Sequence, residues 1–225
     1  MILQDREKVF LETLARIAEF DLVLIGGYAV NAYVPPRYSV DCDLVVLGDL
    51  EKAEVIIVKE GFVRARDAGQ PTGDYAHYIK EKEKVAVDLL IGRVLDRLTN
   101  ISFEGELFEK YSRKRRVLGR ATTSGIEMRV ADPELLFSMN FVSGRKQDIR
   151  DIFMLSGTDL DWKTVKEIIS AKCDKNLLKK RIKLVRDSVS SDSYRKSLEG
   201  AFGGVPNERF DACKGKLFKF LDEFR

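Results

Sequence analysis

The chain has 225 residues, 44% of them hydrophobic and 33% charged, with 16 Gly, 5 Pro and a formal net charge of +3. That apolar fraction, with no sustained heptad, excludes collagen, coiled coil and a disordered tail; the length suits one large domain, or one of about 130 residues with an appendage. The apolar run over residues 22 to 30 falls short of the roughly 18 residues a spanning helix needs. The opening MILQDREK meets charge too early for a secretory signal. The expectation is a cytoplasmic protein with no membrane partner. The three cysteines, Cys42, Cys173 and Cys213, are far apart and form no CxxC or Cys/His cluster, which argues against zinc and disulfides. With His77 as the single histidine, any Ser-His or Cys-His chemistry would rest on that residue. Charge is uneven: residues 163 to 225 carry 16 Lys and Arg against 9 Asp and Glu, leaving the first 162 residues net acidic. A basic back half reads either as a solvated helical face or as a functional basic surface.

In chain order, Phe10, Leu14, Ile17 and Ala18 share one helical stripe, so an amphipathic helix is predicted near residues 3 to 20. Leu22-Val23-Leu24-Ile25 is a β-rich run stopped by Gly26-Gly27, the pattern of a strand feeding a glycine turn. Residues 28 to 33 suit a short helix that Pro35-Pro36 prevents from continuing. A second strand is predicted over residues 38 to 47. Asp49 then caps a helix near residues 50 to 60, with Gly61 just past its end. Tyr75-Ala76-His77-Tyr78-Ile79 and Val85-Ala86-Val87-Asp88-Leu89-Leu90-Ile91 read as a hairpin, although the joining residues lack Gly or Asn. Residues 93 to 130 are mixed and hold a basic knot, Arg113-Lys114-Arg115-Arg116, which reads as a solvated turn and lacks interleaved aromatics for base stacking. Asp132-Pro133-Glu134 looks like an N-cap with Pro at the first helical position, and helical spacing prevails from there to the end. The change places a domain boundary near residue 130: a mixed α+β domain over 1 to 130, then a helical domain over 131 to 225.

The carboxylates carry the chemistry. On a strand, Asp41 and Asp43 point to the same side with Cβ atoms roughly 7 Å apart. Two like charges so placed need neutralising. Arg37 and Ser39 fall on the same alternation, yet a divalent cation suits the pair better, because Mg²⁺ takes carboxylate oxygens, water and substrate phosphates. Asp88 interrupts an otherwise apolar strand, where a charge is costly unless paired. Beside Asp41 and Asp43 it would complete a three-carboxylate platform for two metals and in-line phosphoryl chemistry. Gly26-Gly27 would let backbone N–H groups approach a phosphate at a helix N-terminus. Bland alternatives stand beside each reading. Asp41 and Asp43 could be exposed edge-strand acids, Asp88 a turn cap, the glycines a tight turn, and His77 a residue on a strand face near Asp88.

Taken together, hydrophobic-Gly-Gly, 13 residues, Asp-x-Asp among apolar residues and a later strand acid resemble the nucleotidyltransferase fold of the DNA polymerase beta superfamily. Gly26-Gly27-Tyr28-Ala29 with Arg37-x-Ser39-x-Asp41-x-Asp43 resembles the minimal nucleotidyltransferases that include the abortive-infection type IV (AbiEii-like) toxin group. The match covers residues 22 to 91. It implies a mixed sheet with flanking helices followed by a helical C-terminal domain. It further implies that Gly26 and Gly27 contact a triphosphate, that Asp41, Asp43 and Asp88 bind two Mg²⁺ ions, and that Arg37 and Ser39 lie near the phosphates. Ser143-Gly144-Arg145-Lys146-Gln147-Asp148 resembles a helical segment of the same group that reaches back to the nucleotide, which adds Arg145, Lys146 and Asp148. Asn140 stands where that group has a lysine. The same three residues also suit a local pair on a helix surface.

The activity implied is Mg²⁺-dependent transfer of a nucleoside monophosphate from an NTP to an acceptor hydroxyl, with release of pyrophosphate. The acceptor could be RNA such as a tRNA, or a small hydroxylated molecule. A toxin role would bring an antitoxin as partner. The alternative is a non-catalytic nucleotide- or partner-binding module with a degenerate site.

Overall fold

In a computed structural model of the chain, residues 3–65, 75–122 and 125–224 are described. They divide into two compact units, Met1–Leu95 with Ser102–Asp132, and Asp96–Ile101 with Pro133–Arg225.

The first unit opens with α1 (Leu3–Ile17), β1 (Leu22–Ile25) and the short α2 (Gly26–Val30). After β2 (Asp41–Val46) come α3 (Leu50–Lys59), β3 (Val63–Arg64), β4 (Tyr75–Lys80) and β5 (Val85–Ile91). β6 (Arg93–Asp96) and β7 (Ile101–Glu104) form a separate two-stranded sheet whose connecting end, Asp96–Ile101, is counted with the second unit; α4 (Gly105–Lys110), β8 (Ser112–Val117) and β9 (Ile126–Ala131) complete the first.

Seven strands lie in the order β3-β4-β5-β2-β1-β9-β8. β2 runs parallel to β5 and β1 parallel to β9, while the other neighbours are antiparallel, so the sheet is mixed. Paired residues share a face. One face of β4 and β5 buries Ala76, Tyr78, Val85, Val87 and Leu89, and Tyr78 donates to Glu54 Oε1 of α3 at 2.5 Å. α3 therefore lies on that face, with α1 in contact with it; the α1 stripe of Phe10, Leu14 and Ile17 excludes solvent, and Phe10 packs on Tyr28 at 5.3 Å. The opposite face of the same strands carries Tyr75, His77, Ala86, Asp88 and Leu90, all half-buried.

Several boundaries follow local chemistry. Asp49 caps α3 by accepting from Lys52 N, and Gly61 takes φ +87 just beyond it, as predicted from the sequence. The β4–β5 turn, which has neither Gly nor Asn, puts Lys84 at φ 52. The basic knot is not a turn: it forms β8, an edge strand paired along its length with β9. Its cations are partly matched, Arg113 donating to both carboxylate oxygens of the buried Asp132 at 2.5 and 2.7 Å and Arg115 lying over Tyr33.

The second unit is helical: α5 (Pro133–Ser143), α6 (Lys146–Leu155), α7 (Trp162–Lys172), α8 (Lys175–Ser190), α9 (Tyr194–Phe202) and α10 (Asn207–Asp222). Its core is aromatic. Phe137 meets Trp162 and Phe220 edge-on at 5.4 and 5.7 Å, and Phe153 packs on Tyr194 and Phe210. Among the described residues no helix is long and apolar enough to cross a membrane.

Candidate active site

The site begins where β1 ends. Ile25 is paired with Asp43 across β1 and β2, and Asp43 is paired in turn with Asp88 across β2 and β5. His77 lies opposite Asp88 on β4. Asp41, two residues from Asp43, shares its face. The register therefore brings Asp41, Asp43 and the distant Asp88 to one side of the sheet: alternation gives the shared face of the first two, and the β2–β5 pairing adds the third.

Gly26, at φ +67, follows directly. A Cβ there would collide with the Asp43 carboxylate, so the acid lies against the glycine backbone. At Gly27 a Cβ would meet Ser39 Oγ at 2.5 Å and the Arg37 guanidinium at 2.8 and 3.0 Å. A Cβ at either position would force these side chains to shift, and Gly26 is held as glycine by its backbone angle as well. α2 spans only five residues, so the summed peptide dipoles expected at its N-terminus are few. The positive charge beside Gly27 comes instead from Arg37, which is 3% exposed.

Arg37 is fixed by a residue that sequence reasoning overlooked. The Asn31 side chain accepts from Arg37 N at 3.0 Å and donates to Arg37 O at 2.9 Å, folding the Pro35-Pro36 segment back onto α2. Arg37 Nη1 donates to Tyr38 O, and the buried Tyr28 hydroxyl donates to Ser39 O. Burial holds the Tyr28 phenol above its ordinary pKa, so it stays protonated as a donor.

Asp88 has two partners on β4. Its Oδ1 accepts from the Tyr75 hydroxyl at 2.8 Å and is in close contact with His77 Nδ1, while the Tyr75 and His77 rings stack 6.2 Å apart. Asp41 reaches solvent, yet partial desolvation and then the negative charge of Asp88 raise its pKa above the usual carboxylate value; His77 pulls the other way. Cys42 points to the opposite face of β2, where burial and the flanking acids push its thiol up, so it is no nucleophile.

The donor type fits a hard cation: Asp41, Asp43 and Asp88 offer carboxylate oxygens on one face of the sheet, and the charge of Asp88 felt at Asp41 is what a divalent ion would relieve. Among the described residues no group of three or more His, Cys, Asp or Glu is arranged to hold a metal ion, and Asp88 Oδ1 is given to Tyr75 and His77. The fit is thus to Asp41 and Asp43 first, with Asp88 next to Asp43.

Arg145, Lys146 and Asp148 belong to the second unit. Asp148 accepts from Arg145 N at 2.9 Å at the start of α6, and Arg145 Nη2 reaches the buried Asp96 at 3.2 Å. Lys146 is exposed. Burial chiefly, and Asp96 to a lesser degree, raise the Asp148 pKa against the lowering effect of Ser143 and Arg145. The Asn140 Nδ2 is enclosed without a hydrogen-bond partner.

No family model matches the sequence, and no curated protein is significantly similar to it. Among solved structures, a protein of H. pylori assigned as a nucleotidyltransferase superposes with a TM-score of 0.54 over 99% of this chain and 96% of its own, at 15% identity. The nucleotidyltransferase toxin MenT4 of Mycobacterium tuberculosis gives 0.49 at 12% identity, covering 99% of this chain and 91% of its own. A STING-associated CdnE c-di-GMP synthase of Capnocytophaga granulosa gives 0.26 at 11% identity, covering 99% and 80%. The last two superpose too loosely to bear on the fold. The first shows that the chain has the nucleotidyltransferase fold, a mixed sheet with flanking helices and C-terminal helices.

Proposed function

We propose that the chain is a Mg²⁺-dependent nucleotidyltransferase that moves a nucleoside monophosphate from an NTP to an acceptor hydroxyl and releases pyrophosphate. The observation that carries this reading is the register: Asp43 opposite Asp88, with Asp41 on the same face and the Asp43 carboxylate against Gly26. In this reading the glycine backbone and Ser39 admit the triphosphate, and the buried Arg37 offsets its charge. Asp41 and Asp43 would hold the cation, and Asp88 would complete the set on the acceptor side. Bound there, Mg²⁺ would neutralise charge on the phosphates and align the attacking and leaving oxygens. Asp88 Oδ1 already accepts a hydrogen bond from a hydroxyl, the role it would serve toward an acceptor. Arg145, Lys146 and Asp148 remain part of the proposed nucleotide contacts through the resemblance of their segment. A toxin role with a neutralising antitoxin belongs to the same proposal.

The acceptor class is tested by incubating the chain with Mg²⁺ and each α-labelled NTP, in parallel with bulk tRNA and with small polyhydroxylated compounds. Label in tRNA, falling steeply as salt rises, identifies RNA as the acceptor; salt-insensitive label in a small compound identifies the other class. Nucleotide binding with no label in any product and no pyrophosphate contradicts the proposal and leaves a binding module.

A further inference from the structure

The acid expected to meet the acceptor hydroxyl already meets one belonging to the protein. Tyr75 Oη donates to Asp88 Oδ1 at 2.8 Å, from the first residue of β4 and on the sheet face that carries Asp41 and Asp43. Tyr75 is half-buried, and its ring is held parallel to His77, with an interplanar angle of 11°. Other tyrosine hydroxyls go elsewhere: Tyr28 to Ser39 O, Tyr33 to Ala131 O, Tyr78 to Glu54 on the opposite face, and Tyr194 to Ile149 O. Each of those hydroxyls is tied to a backbone or structural partner, from the buried Tyr28, Tyr78 and Tyr194 and the half-buried Tyr33. Tyr75 instead directs its oxygen to Asp88 Oδ1, with His77 Nδ1 3.3 Å away.

Resting on the nucleotidyltransferase reading, we propose that Tyr75 is itself an acceptor, so that the protein nucleotidylates its own phenolic oxygen. Tyr75 Oη attacks the α-phosphorus of a bound nucleoside triphosphate. The Oη–P bond forms as the bond from that phosphorus to the bridging oxygen of the β-phosphate breaks, and pyrophosphate leaves with the electron pair. The phenolic proton passes to Asp88 Oδ1, the atom to which it is already hydrogen-bonded. The product is a tyrosine phosphodiester carrying one nucleoside monophosphate. It has lost the proton that bridged Tyr75 to Asp88, so the step occurs once per chain.

The test uses the full chain with Mg²⁺ and each α-labelled NTP in turn, alone and in parallel with an added pool of tRNA and small polyols, read by label on the denatured protein and the acceptors and by peptide mass mapping. The intact mass of the protein as purified supplies a second readout that needs no added nucleotide. The expected result is one nucleoside monophosphate on the peptide containing Tyr75, and no label on Asp41→Asn, Asp43→Asn or Tyr75→Phe. Mapping on the unaltered chain keeps the test independent of how well Tyr75→Phe folds. Transfer to an added acceptor with Tyr75 unmodified, or label on another residue, overturns the inference while leaving the nucleotidyltransferase reading intact. Absence of both self-label and transfer to any acceptor, with no pyrophosphate, overturns the two together.

Discussion

Gly26 is the residue on which the backbone and the chemistry meet. Its φ of +67 lies where L side chains are strained, and any Cβ would strike the Asp43 carboxylate. Gly26→Ala is therefore expected to cost about 1 to 3 kcal/mol of stability from the backbone alone and to displace Asp43, weakening nucleotide binding in Mg²⁺. Urea unfolding and calorimetric titration check both; unchanged stability and affinity would show that the glycine is not required. Strand alternation made the shared face of Asp41 and Asp43 legible from sequence, whereas the place of Asp88 beside Asp43 depends on the pairing of β2 with β5. Asn31 was not legible. One amide just past the end of a five-residue helix has no period to betray it, and its partner, the Arg37 backbone, reaches it only because the Pro35-Pro36 segment folds back. Tyr75 escaped for a related reason: its link to Asp88 is diagonal across the hairpin, since Leu90 is its direct partner and His77 is that of Asp88.

Elements with a strong period declared themselves. α1, α3 and the β4–β5 hairpin stand within a few residues of their sequence-based limits, α1 ending at Ile17 where residue 20 was expected. β8 did not declare itself, because Ser112-Arg113-Lys114-Arg115-Arg116-Val117 has no apolar alternation to read. An edge strand can carry charge on both faces, and here the buried Asp132 and the Tyr33 ring supply partners that lie far off in sequence or beyond the strand. At the start of α6 the raised pKa of Asp148 makes a prediction about pH. Burial makes the folded state bind this proton more tightly than the unfolded chain does. Its contribution to stability is then full below the ordinary carboxylate pKa and is lost as pH rises through the raised value. Asp148→Asn keeps an oxygen for Arg145 N–H while removing the titration. Melting followed from about pH 3 to pH 7, spanning the ordinary carboxylate range, is expected to fall less with rising pH in the variant; equal slopes would contradict this origin.

Across the whole molecule, the sheet order could not be read from the sequence. Pairing β2 with β5 and β1 with β9 joins parallel strands across long stretches of chain, and no local pattern encodes such a partnership. What periodicity did show is the change of element type along the chain: mixed strands and helices first, then helices, in a stretch with a basic balance. The mixed sheet buries one side under α1 and α3 and leaves the acids on the other, and that asymmetry converts three scattered aspartates into one candidate site. Release of pyrophosphate tests this most directly. The intact chain with Mg²⁺, each of the four NTPs and an acceptor pool of tRNA and small polyols is compared with Asp41→Asn and Asp43→Asn variants of equal thermal stability. Release with at least one NTP, lost in both variants and on chelation of the metal, is the predicted result. Release that persists in the variants, or none with any NTP while nucleotide still binds equally to all three proteins, would contradict it.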